Sequence, residues 1–592
     1  MAQRSMAANR SAPSKNGEPA LDAVIVGAGF SGLYMLHRLR SMGMRAQVLE
    51  RGADVGGTWY WNRYPGARCD LESVDYQFSF SEELLAEWRW TERYASQPEI
   101  LAYLNFVADR LDLRRDIRFG TEVRSASFDD GSGLWRLTTR SGTRLMARFC
   151  ILAVGCLSEP KAPEIPGIDL FAGEWYHTAR WPHEGVDFTG KRVGVIGTGS
   201  TAVQLIPKVA AQASRLYVFQ RTPNYAMPAH NRPLSEEELA EVLAGYGRRR
   251  RLCEESEAGV PIAPPTKATF EVSEEEREAM YEAGWQRGGI NALSNAFTDL
   301  FTDERANATA QEFARRKIRQ IVKDPRLAEL LSPTHHIGTK RTCVEIGYFA
   351  TYNRPNVELV DVSTSPIREI TPRGPKTAAI DYDVDALIFA TGFDAMTGAL
   401  LAIDVQGSHG AALREHWRAE PRTYLGLMVA GFPNLFIVTG PQSPSVLSNM
   451  VVSIEQHVDW IADCLRFMHE LDFSRVEATQ EAEDAWVCHV NELAQPTLYP
   501  KARSWYVGAN VPGKPRVFMP YVGGCGRYRK ECEEVAADGH RGLVFDSKVM
   551  LSGDARTPRP SRGHKPQLLR GATTPARISG QRIAGRQGSA GR

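Results

Sequence analysis

Short apolar runs that end in a glycine-rich turn and continue with helical spacing occur twice along the chain. The first runs from Leu21 to Val26, turns at Gly27, Gly29 and Gly32, and continues from Leu33 to Leu39 with helical spacing. A strand, a tight glycine turn and a helix form the first half of a βαβ unit. Because such a turn lets the backbone approach a pyrophosphate at the positive end of a helix, the pattern predicts a dinucleotide site.

The acidic residue after the next predicted strand narrows the ligand of this first site. Ala46 to Leu49 has the composition of a strand, and it ends in Glu50. A carboxylate at this point accepts hydrogen bonds from ribose hydroxyls and repels a 2′-phosphate. The first site is therefore predicted to hold a dinucleotide with a free ribose, such as FAD or NAD.

The second unit repeats the turn but ends differently. Lys191 to Ile196 is an apolar strand, and Leu216 to Gln220 is a second strand that ends in Arg221 and Thr222. The glycine turn between them contains Gly197, Thr198, Gly199 and Ser200. Because arginine has a planar fork of donors that suits a phosphate, this site is predicted to prefer NADPH, while the first holds FAD. The sequence thus predicts an α/β fold with two Rossmann-like dinucleotide-binding domains.

A long aromatic loop after the first unit carries further candidate contacts. It contains Gly57, Thr58 and Trp59, and it leads through a second glycine stretch to Asp70. Loops after the carboxyl ends of strands are where doubly wound sheets bind ligands, and a carboxylate in such a loop is suited to orient a cation at the reacting centre. Cys69 has no cysteine partner nearby, which argues against a disulfide reductase.

The stretch from Phe171 to Pro182 lies between the two nucleotide signals and has neither strand alternation nor helical spacing. Trp181 precedes a proline, which favours an extended backbone. The stretch is therefore predicted to be a loop that connects the FAD domain to the NADPH domain. Apolar strands at Phe149 to Val154 and Asp385 to Ala390, each followed by a glycine, indicate where the chain crosses between these domains.

From residue 228 to 336 charged segments with helical spacing replace strand signals, and Ser235 with Glu238 fits a capping box at the first of them. We interpret this region as a helical insertion that covers a substrate pocket, with Arg248 to Arg251 as a solvated helix face. The predicted divisions are a disordered lead (1–20), an FAD-binding domain in two parts (21–155 and 389–546), an NADPH-binding domain in two parts (156–227 and 337–388), the insertion (228–336) and a basic disordered tail (547–592).

Composition excludes several classes of function. The formal net charge of the 592 residues is +1, so no attraction to nucleic acid or to an anionic membrane is expected. Nine scattered cysteines without a Cys-x-x-Cys pair favour a reducing, cytoplasmic location and argue against a metal centre. No apolar run reaches the roughly 18 residues of a membrane span. Whether the protein is a monomer or a dimer does not follow from the sequence.

Together these motifs resemble the type I Baeyer–Villiger monooxygenases, most closely the phenylacetone and steroid monooxygenase branch. The stretch from Phe171 to Pro182 matches the pattern Phe-x-Gly-x-x-x-His-x-x-x-Trp-Pro at Phe171, Gly173, His177 and Trp181. Related N-hydroxylating flavin monooxygenases typically lack the Trp-Pro end. The resemblance extends over about residues 21 to 546 and leaves out both tails.

The resemblance implies a reaction and two residues at its centre. NADPH reduces FAD, O2 adds to the flavin, and the C4a-peroxyflavin inserts one oxygen atom beside a ketone carbonyl to give an ester or a lactone. Arg341 matches the active-site arginine of the family, which must be positive without giving up its proton. Asp70 matches the aspartate that positions this arginine.

The resemblance also implies the cofactor contacts. Lys340, Arg221 and Thr222 match the groups that hold the 2′-phosphate of NADPH. Trp505 matches a tryptophan that contacts the nicotinamide nucleotide. His177 is expected to act as a hinge residue that supports domain motion, and not as a proton donor.

The expected substrate pocket departs from the family at one position. Cys156 stands where the phenylacetone-like pattern has glutamine, and we interpret it as a tolerated small replacement that widens the pocket. Ser445, Val446 and Leu447 match a pocket-lining bulge. The resemblance implies a bulky cyclic or polycyclic ketone and O2 as substrates. Steroid ketones and the terpenoid ketones of pentalenolactone-type antibiotic biosynthesis both fit, and no residue selects between them.

Two other hypotheses stay open from the sequence. One is a flavin-dependent monooxygenase that oxidises nitrogen or sulfur, against which the Trp-Pro end and Arg341 argue. The other is a nucleotide-binding redox sensor without turnover, which would need a disabled reaction centre, whereas Asp70 and Arg341 are both present.

Overall fold

The computed structural model describes residues 20 to 547, so the predicted lead and tail lie outside the described residues except for Ala20 and Ser547. The strands of the described part are β1 (Leu21–Val26), β2 (Ala46–Leu49), β3 (Ile117–Arg118), β4 (Val123–Asp129), β5 (Leu134–Thr139), β6 (Arg144–Leu152), β7 (Glu174–His177), β8 (Arg192–Ile196), β9 (Arg215–Gln220), β10 (Ala226–Pro228), β11 (Cys343–Glu345), β12 (Val357–Asp361), β13 (Glu369–Thr371), β14 (Gly374–Lys376), β15 (Ala386–Phe389), β16 (Asp404–Gln406), β17 (Leu435–Ile437), β18 (Phe473–Ala478) and β19 (Leu543–Ser547).

Between and after these strands lie α1 (Phe30–Ser41), α2 (Thr58–Trp61), α3 (Glu82–Glu87), α4 (Gln97–Arg110), α5 (Ser200–Ala210), α6 (Glu236–Ala244), α7 (Tyr246–Glu255), α8 (Glu274–Arg287), α9 (Glu304–Ile321), α10 (Pro325–Leu330), α11 (Tyr348–Thr351), α12 (Gly398–Leu401), α13 (Leu413–His416), α14 (Met450–Glu470), α15 (Gln480–Ala494) and α16 (Cys525–Ala537). Within residues 20 to 547, none of these helices is both long and apolar enough to cross a membrane.

The larger sheet has eight strands, seven of them in the order β16-β4-β5-β6-β1-β2-β3, and its eighth strand, β17, pairs with β6. β1 is parallel to both β2 and β6, with Val24 opposite Gln47 on one side and Cys150 on the other. Its residues from Ala23 to Val26 are buried, as expected for a central parallel strand that is covered on both faces. The carboxyl end of β1 therefore brings the first glycine turn to one edge of the sheet.

The second sheet has five parallel strands in the order β12-β9-β8-β15-β7. All five lie between residues 174 and 389, whereas the strands of the larger sheet come from 21 to 152 and from 404 to 437. The chain thus leaves the larger sheet after β6, builds the second sheet and returns. The predicted α/β fold with two Rossmann-like sheets is confirmed, and the domain boundaries stay a prediction.

The structure corrects the loop predicted from Phe171 to Pro182. Glu174–His177 form β7, which pairs in parallel with β15 so that Glu174 lies opposite Ala386 and His177 opposite Phe389. A four-residue edge strand is too short to show alternation, and its hydrogen bonds come from a strand some two hundred residues later. Trp181 after it is extended, as predicted, with φ −69° and ψ 139°.

The helical insertion keeps its predicted helices but not its solvated arginine face. The Ser235 side chain accepts a hydrogen bond from the Glu238 backbone and the Glu238 side chain accepts one from Ser235, which confirms the capping box. In α7, however, Arg250 is buried against Glu455, and Arg249 forms an ion pair with Asp75. The hypothesis was wrong for these two arginines because their carboxylate partners are remote in sequence.

Candidate functional site

A cavity of about 780 Å³ extends between the two glycine turns. Most of the predicted site residues line it: Gly27, Gly29, Glu50, Gly57, Thr58, Trp59, Asp70, Cys156, Gly197, Thr198, Gly199, Ser200, Arg221, Thr222, Lys340, Arg341, Val446 and Trp505. Seven predicted residues lie outside its lining: Gly32, Phe171, Gly173, His177, Trp181, Ser445 and Leu447. Most of the residues predicted from the sequence therefore lie around one cavity, and the positions of the remaining seven are explained below.

The first glycine turn is a tight cradle. Gly27 has φ +105°, and a Cβ atom there would lie 2.5 Å from the Ala153 carbonyl oxygen. A Cβ atom on Gly32 would lie 1.8 Å from the Gly27 carbonyl oxygen, so Gly32 allows close packing of turn and helix and does not face the cavity. Gly29 lies against Gly57 of the aromatic loop. This backbone, open to the cavity at the start of α1, fits a pyrophosphate.

Glu50 is buried and bonded to the same turn. One of its carboxylate oxygens accepts a hydrogen bond from the Ala28 amide at 2.7 Å, and the other accepts one from the Gly52 amide at 2.6 Å. Since each carboxylate oxygen accepts more than one hydrogen bond, Glu50 keeps the capacity to bind ribose hydroxyls. The residues at this end of the cavity thus fit the FAD predicted from the sequence.

The second glycine turn is open on the side of the cavity. Gly197 has φ +116° and packs against the Ala390 carbonyl, whereas a Cβ atom on Gly199 would have no neighbour within 4 Å. The Thr198 hydroxyl donates a hydrogen bond to the Thr222 carbonyl at 2.8 Å, which ties the turn to the end of β9. The start of α5 therefore provides a second pyrophosphate cradle next to Arg221.

Two cations at this second cradle have no carboxylate partner among residues 20 to 547. Neither Arg221 nor Lys340 forms an ion pair in that part of the chain, although most arginines around them do. Burial lowers the pKa of the Lys340 ammonium group, and the positive charge of Arg221 lowers it further. Two cations that repel each other across an open cavity fit a 2′-phosphate, as NADPH has.

The Asp70–Arg341 ion pair lies on the cavity wall between the two cradles. Nε and Nη2 of Arg341 donate to the two carboxylate oxygens of Asp70 at 2.8 and 2.9 Å, and Nη1 donates to the Val446 carbonyl at 2.6 Å. Burial opposes the charge, but Asp70 outweighs it and raises the pKa of Arg341 above its ordinary value. Arg341 is therefore a fixed positive charge that does not release a proton.

His177 joins the two chain crossings and does not line the cavity. Its Nδ1 accepts a hydrogen bond from the Ala179 amide at 3.1 Å, so the proton of the neutral ring is on Nε2, which lies 3.2 Å from both the Lys161 carbonyl and the Thr391 hydroxyl. Burial lowers the pKa of His177. A neutral histidine bonded on both sides is suited to a hinge and not to proton transfer.

The other residues of the Phe171–Pro182 stretch pack around β7. A Cβ atom on Gly173 would lie 2.5 Å from the Asp385 carbonyl oxygen and 2.7 Å from the Phe171 ring. Trp181 is buried against Tyr176 and Phe188, with ring centroids 5.5 and 6.1 Å apart. These contacts hold the edge strand of the second sheet, which explains why none of these residues faces the cavity.

The four predicted pocket residues form one apolar corner. Cys156 lines the cavity, and its Sγ lies 3.0 Å from the Ser445 hydroxyl and 3.1 Å from the Thr439 carbonyl. Ser445 is fully buried behind Cys156, Val446 lines the cavity, and Leu447 packs in the same apolar cluster. Burial raises the pKa of the Cys156 thiol, which keeps it neutral.

Several cavity residues were missed by the sequence reasoning. Tyr64, Lys161 and Gln204 all line the cavity. Tyr64 donates to Gln204 Oε1 at 2.8 Å, and Gln204 lies one helical turn after Ser200, so helical spacing from the second glycine turn is the signal that would have found it. Lys161 gives no such signal, because it becomes a neighbour only through the folded crossing between the sheets.

A mixed sheet and a parallel sheet, each with its own glycine cradle, and a fixed arginine between the cradles define a flavoprotein oxidoreductase that uses two dinucleotides. Residues 24–276 match the family model described as pyridine nucleotide-disulphide oxidoreductase. The chain is 44% identical over 528 residues to a Baeyer–Villiger monooxygenase of Pseudooceanicola batsensis. The aligned region covers 89% of this chain and 96% of that protein. It is 41% identical to the phenazine N-monooxygenase PhzNO1 of Lysobacter antibioticus, over 90% of this chain and 98% of that protein.

Among solved structures, the chain is similar to oxidized steroid monooxygenase bound to NADP, with 52% identity and a TM-score of 0.86 over 89% of this chain and 100% of that one. The chain belongs to the type I Baeyer–Villiger monooxygenases. It is therefore an FAD- and NADPH-dependent monooxygenase that inserts an oxygen atom of O2 beside a ketone carbonyl. The resemblance noted in the sequence is confirmed.

Proposed function

We propose that the protein converts a bulky cyclic or polycyclic ketone into a lactone. The observation that carries this proposal is the partly buried Asp70–Arg341 pair on the cavity wall, next to the apolar corner of Cys156 and Val446. A fixed cation beside an apolar surface suits a ketone whose oxygen becomes negatively charged while its rings stay out of water. Relatives named as acetone and cyclohexanone monooxygenases show that the ketones of this family include small ones.

Bound FAD supplies the oxygen-transfer chemistry, and the residues of this chain hold it and control its surroundings. We assign the FAD pyrophosphate to the turn of Gly27, Gly29 and Gly57, with Glu50 on the ribose and with Thr58 and Trp59 beside it. Arg341 stabilises negative charge that develops on the substrate oxygen, because its raised pKa prevents it from giving up a proton. Asp70 keeps the guanidinium of Arg341 in place.

The NADPH contacts follow from the second cradle. We assign the pyrophosphate to the turn from Gly197 to Ser200 and the 2′-phosphate to Arg221, Thr222 and Lys340. Trp505 lines the same cavity from the short helix Trp505–Val507, which supports a contact with the nicotinamide nucleotide. Because NADPH is the main reductant of the cytoplasm, a cytoplasmic location belongs to the same proposal.

The proposed bulk of the substrate rests on Cys156 and on the similarity to a steroid monooxygenase. A thiol where the phenylacetone-like pattern has glutamine leaves more room and removes an amide from the pocket. No residue of the apolar corner selects between a steroid and a fused-ring terpenoid ketone. The proposal therefore extends to lactone formation in secondary metabolism, as in pentalenolactone-type antibiotics.

One specific observation favours a second candidate function, which is oxygenation of nitrogen. A relative of 41% identity over 90% of this chain is a phenazine N-monooxygenase, so high similarity does not by itself determine the oxygenated atom. A ketone oxygen becomes negatively charged during the reaction, and the Asp70–Arg341 pair places a fixed positive charge that suits it. The pair therefore supports a ketone substrate over a phenazine.

A substrate panel separates these candidates. The FAD-loaded protein is incubated with NADPH and O2 and with monocyclic, steroid and sesquiterpenoid ketones, a phenazine and a sulfide, and the products are identified by mass spectrometry. We expect lactones from fused-ring ketones in amounts that match NADPH consumption. Oxygenated phenazine or sulfide with all ketones unchanged would overturn the proposal.

A further inference from the structure

The helical insertion reaches the substrate corner through Arg249, a partly buried arginine that pairs with a buried carboxylate. In α7, Nε and Nη2 of Arg249 donate to the two carboxylate oxygens of Asp75 at 2.6 and 2.7 Å. Asp75 is buried, with 6% of its surface exposed, and a second carboxylate, Glu72, lies 3.3 Å from the same guanidinium. A bidentate pair of this kind fixes both position and angle, and it is costly to break once buried.

Asp75 in turn holds the start of α14. Its backbone carbonyl accepts a hydrogen bond from Asn449 Nδ2 at 2.7 Å, and Asn449 is fully buried. The other side-chain atom of Asn449, Oδ1, accepts from the Val451 amide and caps the helix. The backbone amide of Asn449 donates a hydrogen bond to the Ala258 carbonyl, which lies in the segment that follows α7. Asn449 is thus bonded on two sides to groups that α7 and its ion pair position.

The residues just before Asn449 are those of the apolar corner. Val446, Ser448 and Met450 line the cavity, and the Val446 carbonyl is held by Arg341. The stretch from Ser445 to Met450 is therefore fixed at one end by Arg341 and at the other end by Asn449. Since Asp70 and Asp75 belong to the same stretch of chain, both attachments depend on the position of that stretch.

We propose that Arg249 is a positioning residue that fixes the pocket-lining stretch 445–450 through Asp75 and Asn449, and so determines how the ketone is oriented. The predicted effect falls on ketone binding and on which carbon neighbour of the carbonyl receives the oxygen. Flavin and NADPH binding are unaffected, because the chain of contacts does not touch either glycine turn. This inference rests on the proposed function for its substrate and on the fold for its mechanics.

The test compares two variants with a matched control in the FAD-loaded protein. Arg249→Met removes the charge at nearly the same length. Asn449→Ser keeps a side chain that caps helices well but is too short to reach the Asp75 carbonyl. Arg251→Met is the control, because Arg251 is exposed on the same helix. Arg249→Lys keeps the charge without the bidentate geometry and should restore part of the effect.

The first measurement is the ratio of the two regioisomeric lactones formed from a racemic fused bicyclic ketone, together with the KM values for ketone and NADPH. We expect Arg249→Met and Asn449→Ser each to change the ratio by about threefold or more and to raise the ketone KM about five- to tenfold, with the NADPH KM within about twofold. The double variant should show no more than the larger single effect. Unchanged ratio and ketone KM in folded Arg249→Met would overturn the proposal, and if that variant does not fold, the same result in Asn449→Ser would do so.

The second measurement does not depend on the substrate. Hydrogen exchange read by mass spectrometry should show faster exchange over residues 445–456 in Arg249→Met and Asn449→Ser, with no change in Arg251→Met. If the wild-type protein forms no lactone from any ketone, the proposed function fails, while faster exchange still supports the positioning role. Unchanged exchange in both variants with normal lactone formation would instead overturn the positioning role and leave the proposed function standing.

Discussion

At the scale of single residues, the decisive arrangement is a cation that cannot act as an acid. Arg341 is bonded through three donors, two to Asp70 and one to Val446, and Asp70 raises its pKa despite burial. A lysine at this place would titrate more easily and would lack the planar fork. In the proposed mechanism, oxygen transfer therefore takes place beside a positive charge of fixed position.

Arg341→Ala is expected to separate the two halves of the reaction. Bleaching of the flavin by NADPH should persist within a few-fold, because the contacts of the second cradle stay intact. Lactone formation should fall by about 100-fold or more, the usual effect of removing a group that stabilises an oxyanion. Stopped-flow absorbance and product analysis measure the two steps. A normal lactone yield would rule out the proposed role, and Arg341→Lys should lie between the extremes.

Lys340 gives a prediction about pH. Because its pKa is lowered, the ammonium group loses its proton at a lower pH than an ordinary lysine, and its attraction for a 2′-phosphate is present below that pKa and lost as the pH rises through it. The affinity for NADPH should therefore fall between neutral and alkaline pH, while that for NADH stays level. Titration of both nucleotides across this range measures the ratio. Lys340→Arg should remove the pH dependence, and a parallel decline for NADH would contradict the assignment.

At the scale of elements, the edge strand β7 carries the Phe171–Pro182 stretch and brings its histidine to the crossings. His177 ends this strand and bonds Lys161 and Thr391, one from each crossing. Gly173 precedes the strand at a place where the Asp385 carbonyl and the Phe171 ring leave no room for a side chain. The packing of this stretch thus places one polar residue, His177, between the two chain crossings.

Gly173→Ala should shift β7 away from β15. The new Cβ atom would lie 2.5 Å from a backbone oxygen, and relief of such overpacking costs about 1–3 kcal/mol of stability. We expect a lower Tm and a smaller share of NADPH consumption that ends in lactone, because His177 moves with the strand. Calorimetry and product counting test this. Gly245→Ala, whose Cβ atom would meet its nearest neighbour at 3.6 Å, is the control and should behave like the wild type.

Elements that repeat a local signal were predictable from the sequence, and those made by distant partners were not. The strands Leu21–Val26 and Ala46–Leu49 have the predicted bounds, because the residues that determine them are neighbours in the sequence. Strand β7 was missed because its partner is β15, far along the chain. The buried partners of Arg249 and Arg250 were missed for the same reason, as was Lys161 in the cavity.

At the scale of the whole molecule, the two sheets share one cavity. Because Arg221 and Lys340 have no ion-pair partner among residues 20 to 547, nucleotide binding at this end of the cavity should stabilise the fold. NADP+ at about a hundred times its Kd should add about 2.7 kcal/mol to the free energy of unfolding if it binds only the folded protein. NAD+ at the same concentration should add less, since it has no 2′-phosphate for Arg221 and Lys340. Thermal unfolding with either nucleotide measures this. Equal rises in Tm would argue against a 2′-phosphate site.

The excursion of the chain through the second sheet has a consequence during synthesis. β6 pairs on one side with β17, Cys150 opposite Leu435 and Leu152 opposite Ile437. At 5–20 residues per second, the roughly 280 residues between these strands take on the order of tens of seconds to leave the ribosome. Throughout that time the apolar end of β6 from Cys150 to Leu152, beyond the residues that pair with β5, lacks its native partner on this edge, and it is the surface that a nascent chain of this protein must keep from pairing with another.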